Sequence, residues 1–144
     1  MLVAIVLINF GFVYFKTKSR FIKTYQVNAQ SIPVPTDSEV IALRKHVALT
    51  KGCDDCHGKD FGGNVVIDDP ALGFIAGPNL TWGQGGLSTR YTSFSDEDYV
   101  RAIKHGLNKE SKSLKLMPSY EYFLLAQNDL EALIAYFKKF TSRK

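Results

Sequence analysis

Hydrophobic positions follow two unlike patterns along this chain. Residues 2–15, Leu-Val-Ala-Ile-Val-Leu-Ile-Asn-Phe-Gly-Phe-Val-Tyr-Phe, form an apolar run broken only by Asn9 and Gly11. As a helix this run spans about 21 Å, short of the roughly 30 Å of a bilayer core. Extension to Ile22, with Lys16, Lys18 and Arg20 snorkelling to the headgroups, makes up the difference. A cleaved signal peptide is the rival reading; it calls for a basic stretch ahead of the run and a small-x-small site close behind. The nearest such site, Val27-Asn28-Ala29, lies beyond Lys16, Lys18, Arg20 and Lys23. The pattern therefore predicts a retained transmembrane anchor over residues 1–23.

Past the anchor the apolar positions become periodic. Residues 24–35 are polar, with Pro33 and Pro35, and read as an extended linker. Thr36-Asp37-Ser38-Glu39 has the spacing of a capping box, and Val40, Leu43 and Val47 put one apolar stripe on a helix running to about Lys51. Residues 58–79 hold five glycines and two prolines, which predicts an irregular loop and no strand pair; Val65-Val66-Ile67 is too brief to define a strand. Ser95, followed by Asp96, Glu97 and Asp98, opens a helix that ends before Gly106 and turns Tyr99, Val100 and Ile103 to one face. Leu130, Leu133, Ile134 and Phe137 mark a last helix over about 127–140, closed by Lys138 and Lys139. The expected fold is all-α: three to four short helices joined by glycine-rich loops in one domain over 36–144.

Composition adds two constraints. A chain of 144 residues has room for one core. Ten Phe, seven Tyr and one Trp could wall a large flat apolar cofactor, although aromatics are also ordinary core material. Net charge is +4, but Lys16, Lys18, Arg20 and Lys23 account for it; without them 14 basic residues face 14 acidic ones. The basic excess thus belongs to the N-terminus and argues against nucleic-acid binding. If the domain lies outside the cell, those four residues run against the positive-inside bias. Three options follow: a start further upstream, a partner that holds the helix, or a helix packed on other subunits and not on lipid.

The chemistry concentrates in Cys53-Asp54-Asp55-Cys56-His57. A C-x-x-C-H string reads as a c-type haem attachment site. Two thiols three positions apart on a helical turn can each add to one vinyl group of a porphyrin edge, and the next residue then lies under the iron. A thioredoxin-like C-x-x-C wants a βαβ setting, and no strand pattern precedes Cys53. A zinc site needs four ligands, and only His46 and His105 remain to complete Cys53, Cys56 and His57. A disulfide over so short a loop closes little chain and stabilises little.

Further strings follow the first in order: Gly77-Pro78-Asn79-Leu80-Thr81, Met117-Pro118, and a closing helix ending Leu133-Ile134-Ala135-Tyr136-Phe137. With Gly52 to Gly58 around the cysteines, the sequence over about 36–140 resembles the class I monohaem cytochromes c, in the membrane-anchored bacterial style. The resemblance implies one covalently bound haem c, with His57 as proximal and Met117 as distal iron ligand. It implies that the Pro78 carbonyl accepts a hydrogen bond from Nδ1–H of His57, orienting the ring, and that Leu80 presses on the porphyrin. In one respect the chain departs: relatives tend to cap the last helix with serine, where this chain reads Ala126-Gln127-Asn128-Asp129, which moves the expected cap to Asn128.

Met117 can also be weighed from the residues. Apart from Met1 it is the only methionine, and it sits beside Pro118 in a stretch able to reach the iron from the face opposite His57. The alternative is a core methionine filling a gap. His105 and His46 compete as ligands; the first ends a helix and the second lies between stripe positions, where capping and surface roles are ordinary.

Imidazole and thioether together fill both axial positions, which implies outer-sphere electron transfer at a fairly high potential and no small-molecule substrate. The expected protein is a one-electron carrier and not itself an enzyme. It would be a subunit of, or a tethered shuttle for, a respiratory or photosynthetic complex, partnered by membrane-embedded redox proteins. By the same resemblance, haem is attached outside the cytoplasm, so the domain is expected on the periplasmic side of the inner membrane. Arg101, Lys104, Lys109, Lys112 and Lys115 could steer an acidic partner or simply solvate the surface. The contrasting class is a haem-based sensor or catalytic subunit in which Met117 gives way to a gas or peroxide.

Overall fold

The computed structural model describes residues 1–33, 40–83, 85–87 and 94–139, the side chains of 40–43 excepted. In chain order its elements are α1 (Leu2–Ile22), α2 (Val40–Thr50), α3 (Cys53–His57), β1 (Asn64–Asp69), β2 (Gly73–Gly77), α4 (Asp96–His105), α5 (Ser119–Tyr122) and α6 (Gln127–Lys139).

Helix α1 buries none of its 21 residues. At 1.5 Å per residue it is about 31 Å long, enough to cross a hydrocarbon core. By length and composition it can span a membrane, and a signal sequence near the N-terminus passes the same test. The segment that follows is not a free tether. Thr24 forms an antiparallel bridge with Lys112, the Tyr25 N–H donates to the Ser111 carbonyl at 2.9 Å, and Ala29 and Ile32 pack against the core.

The core is a helical layer. Helix α2 packs along α6, and α6 lies against α4 as well. Val47 and Ala48 of α2 meet Leu130, Leu133, Ile134 and Phe137 of α6, with Tyr99, Val100 and Ile103 of α4 completing the cluster. Burying each large apolar side chain contributes about 1.5–3 kcal/mol. The expected capping box at 36–39 lies outside the described residues. The box on α4 is present: Ser95 Oγ accepts the Asp98 N–H at 3.3 Å, and the Ser95 N–H donates to Asp98 Oδ2 at 2.9 Å. On α6 the expected cap moves. The helix begins at Gln127, and the Leu130 N–H already bonds the Ala126 carbonyl, so Asn128 lies inside the first turn.

The domain is mixed α and β, which corrects the all-α expectation. Residues 64–77 form an antiparallel hairpin where an irregular loop was expected, pairing Val65 with Ala76 and Ile67 with Ile75 around a bulge. Three forces combine there. The β-branched Val65-Val66-Ile67 run favours extended backbone. Asp69 Oδ1 accepts the N–H groups of Ala71 at 2.8 Å and Leu72 at 2.9 Å, closing the turn. And the close approach of the second strand to α3 anchors the pair, as described below.

Candidate functional site: the Cys53–His57 turn

Helix α3 follows α2 at once and is a single turn holding both cysteines and the histidine. Cys53 is half-buried, Cys56 is exposed, and their thiols are not bonded to each other. His57 is buried, with 9% of its surface accessible. Its Nδ1 lies 2.8 Å from the Pro78 carbonyl, which can only accept, so the ring carries its proton on Nδ1. Nε2 is left with its lone pair and no hydrogen bond to a described residue. Burial pulls the His57 pKa below its ordinary value, although the Pro78 bond opposes it, and the ring is neutral at pH 7. A neutral imidazole oriented through one nitrogen and open at the other has the form of a metal ligand.

Backbone contacts hold this arrangement. Gly77 is pressed on α3 so closely that a Cβ there would sit 1.9 Å from the Cys56 carbonyl oxygen. Only glycine permits that approach, and it is what brings Pro78 under His57. Phe61, fully buried beside Tyr136 and Phe137, adopts a left-handed φ of 55°, and its carbonyl accepts the Leu80 N–H at 2.9 Å. The Leu80 carbonyl in turn accepts the Tyr99 hydroxyl at 3.0 Å. Asn79 Oδ1 takes the Thr81 N–H at 2.8 Å and its hydroxyl at 2.7 Å. The Gly77–Thr81 string thus serves as a rigid strap between α3 and α4.

Met117 comes in from a different part of the chain. It is half-buried against the same core cluster as Cys53 and Leu80. The stretch before it is ordered: Leu107 bridges Ser113, and the Leu114 N–H reaches the Gly106 carbonyl at 2.7 Å. Behind Met117, α5 carries Tyr122, whose hydroxyl donates to the Lys51 carbonyl at 2.8 Å across 71 residues of sequence. Tyr122 therefore ties the methionine segment to the residue two positions before Cys53. Burial, followed by the fields of Cys53 and Glu121, pushes its hydroxyl pKa up to about 12. Neither Tyr122 nor α5 was legible from the order of residues; a four-residue helix has too few positions to show a period.

The site's chemistry discriminates among the alternatives. Burial, and then the charge of Asp54, push the Cys53 thiol up to about 11, the opposite of the lowered pKa that a redox-active C-x-x-C needs. No strand precedes α3 among the described residues, and the one sheet is antiparallel. Among the described residues no three His, Cys, Asp or Glu side chains are grouped to hold a metal ion, so a zinc set is not assembled. His46 is exposed on α2, and His105 at the end of α4 stacks edge-on with Phe123. Of the five basic residues considered for steering, Arg101 pairs with buried Asp98, and Lys104 donates to the Leu125 carbonyl. A cleft of about 670 Å³ flanks the hairpin between Gly62 and Asn79, but Cys53, Cys56, His57 and Met117 are not among its lining residues. Comparison of the chain with family models and with characterised proteins finds no match.

Proposed function

We propose that this protein is a membrane-anchored one-electron carrier that holds a c-type haem at α3. The observation that carries the reading is the buried His57, turned by the Pro78 carbonyl so that Nε2 is free, on the same helical turn as two unpaired thiols. Cys53 and Cys56 would hold the group covalently, and His57 Nε2 and Met117 would supply ligands to its iron. When bound, such a group supplies an Fe(III)/Fe(II) couple, raised in potential by a thioether ligand. The chain's own part is to orient the imidazole, to exclude water with Leu80 and the aromatic cluster, and to keep the methionine segment seated through Tyr122. With α1 as anchor the domain lies on the periplasmic face, passing single electrons between membrane redox proteins.

Two measurements test this. Mass determination of the intact chain is expected to show one covalent haem, and a chain free of porphyrin overturns the reading. The oxidised protein is expected to show the far-red band of methionine-to-iron(III) charge transfer, with a reduced form insensitive to carbon monoxide. Met117→Ala should abolish that band while leaving the haem attached. Carbon monoxide binding to the unaltered protein favours the sensor alternative.

A further inference from the structure

Only Lys23 separates Ile22, the last residue of α1, from Thr24, the first residue paired with the domain. Tyr25 then holds both parts. Its N–H donates to the Ser111 carbonyl at 2.9 Å, and its hydroxyl lies 3.5 Å from the Arg20 carbonyl in the last turn of α1. The Lys23 ammonium sits over the same ring, 5.1 Å from its centre. The turn that Tyr25 grips is itself braced. The Asn108 N–H donates to the Lys112 carbonyl and Asn108 Oδ1 accepts the Lys112 N–H, both at 2.8 Å. Leu107, buried, bridges Ser113 behind it. Beyond this clasp burial alternates: Tyr25, Val27 and Ala29 are half-buried, whereas Gln26, Asn28 and Gln30 are exposed. A period of two is that of extended chain lying with one side on a surface. Ala29 and Ile32 reach the core cluster.

We propose that residues 24–32 are a docked belt with Tyr25 as its clasp, so that the domain and α1 move as one body. This rests on the reading of the chain as an anchored carrier, and it narrows the kind of partner such a carrier serves. Twelve free residues, 24–35, would let the domain range up to about 40 Å from the end of α1. Laid along the domain, 24–32 provide no such reach. The one residue left between helix and belt, Lys23, is no hinge, because Tyr25 makes contacts on both sides of it. The carrier therefore works as a fixed subunit. Its partner is a redox protein held beside α1 in the same membrane, and not one that the domain swings out to meet.

The test uses the full chain with haem attached, reconstituted in phosphatidylcholine vesicles. Amide hydrogen exchange, corrected for intrinsic rates, should be at least about tenfold slower at Tyr25 than at Gln26, whose N–H has no bond to a described residue. Lys18→Cys and Leu72→Cys, both at exposed positions, place one spin label on α1 and one on the hairpin. Pulsed dipolar spectroscopy should give a single narrow distance between them. Tyr25→Pro removes the donated N–H and the hydroxyl together and should widen that distribution at least about twofold. Equal exchange at Tyr25 and Gln26, or a broad distribution in the parent, overturns the proposal and makes the domain a swinging shuttle. A width that Tyr25→Pro leaves unchanged overturns it as well. Mass determination of the same samples reports haem attachment separately, so failure here is distinguishable from failure of the carrier reading.

Discussion

The two sides of the site are held by different means. On the His57 side, Cys56, Phe61, Gly77, Pro78 and Leu80 lie within 28 residues of Cys53 and are joined by backbone contacts and backbone hydrogen bonds. On the Met117 side, the methionine packs by its side chain, and its segment is secured by the Gly106 junction and by one long-range hydroxyl, Tyr122 to Lys51. The lesson is that His57 is positioned by chain geometry and Met117 by tertiary packing. Substitutions should therefore affect them unequally.

The largest effect is expected from Gly77→Ala. A methyl group driven into the Cys56 carbonyl must separate the hairpin from α3, at a cost of about 3 kcal/mol. Chemical denaturation should show that loss, and haem attachment should fall with it. A variant as stable as the parent would mean that the His57 side is not held by this approach.

Next is Tyr122→Phe, which removes one hydroxyl and leaves the Lys51 carbonyl without its partner. The expected cost is about 1 kcal/mol. On the proposed reading its signature is asymmetric: the haem stays covalently attached while the far-red methionine band weakens. The mirror experiment is Tyr99→Phe, which takes a bond of similar kind from the Leu80 carbonyl. It should reduce stability comparably and leave the methionine band intact; equal effects on the band would dissolve the distinction between the two sides.

The smallest effect concerns Asp54, buried on α3 and paired with exposed Lys59. The Lys59 hydrogen bond holds the Asp54 carboxyl below its usual range. A depressed carboxylate contributes stability that is present above its unfolded value, about 3.9, and is lost as pH falls through the folded value. Lys59→Gln should therefore lower stability slightly at neutral pH, with the difference from the parent vanishing as pH falls through the Asp54 titration, read by denaturation followed by circular dichroism. Neutral stability equal to the parent's would show the pair to be idle.

The elements with long, regular patterns were legible beforehand. Helix α4 was marked by Ser95 and three acids, and α6 by four apolar residues on one stripe; both form close to the expected bounds. The continuous apolar run likewise foretold α1. The hairpin was missed because its evidence is split between three β-branched residues, one Asp side chain closing a turn, and the contact of Gly77 with Cys56, 21 residues away in sequence. No local window contains all three.

What the linear order of residues determined is the chemistry on offer: two thiols and an imidazole at a spacing set by one helical turn, since covalent connectivity carries that spacing into any fold. What only the tertiary structure decided is orientation, namely which His57 nitrogen is free, which tyrosine secures the methionine segment, and which loop pairs with the residues after α1. Those depend on contacts between residues 21 and 71 positions apart, and between Thr24 and Lys112. Such contacts arise from burial shared across the whole core, and local sequence does not encode that.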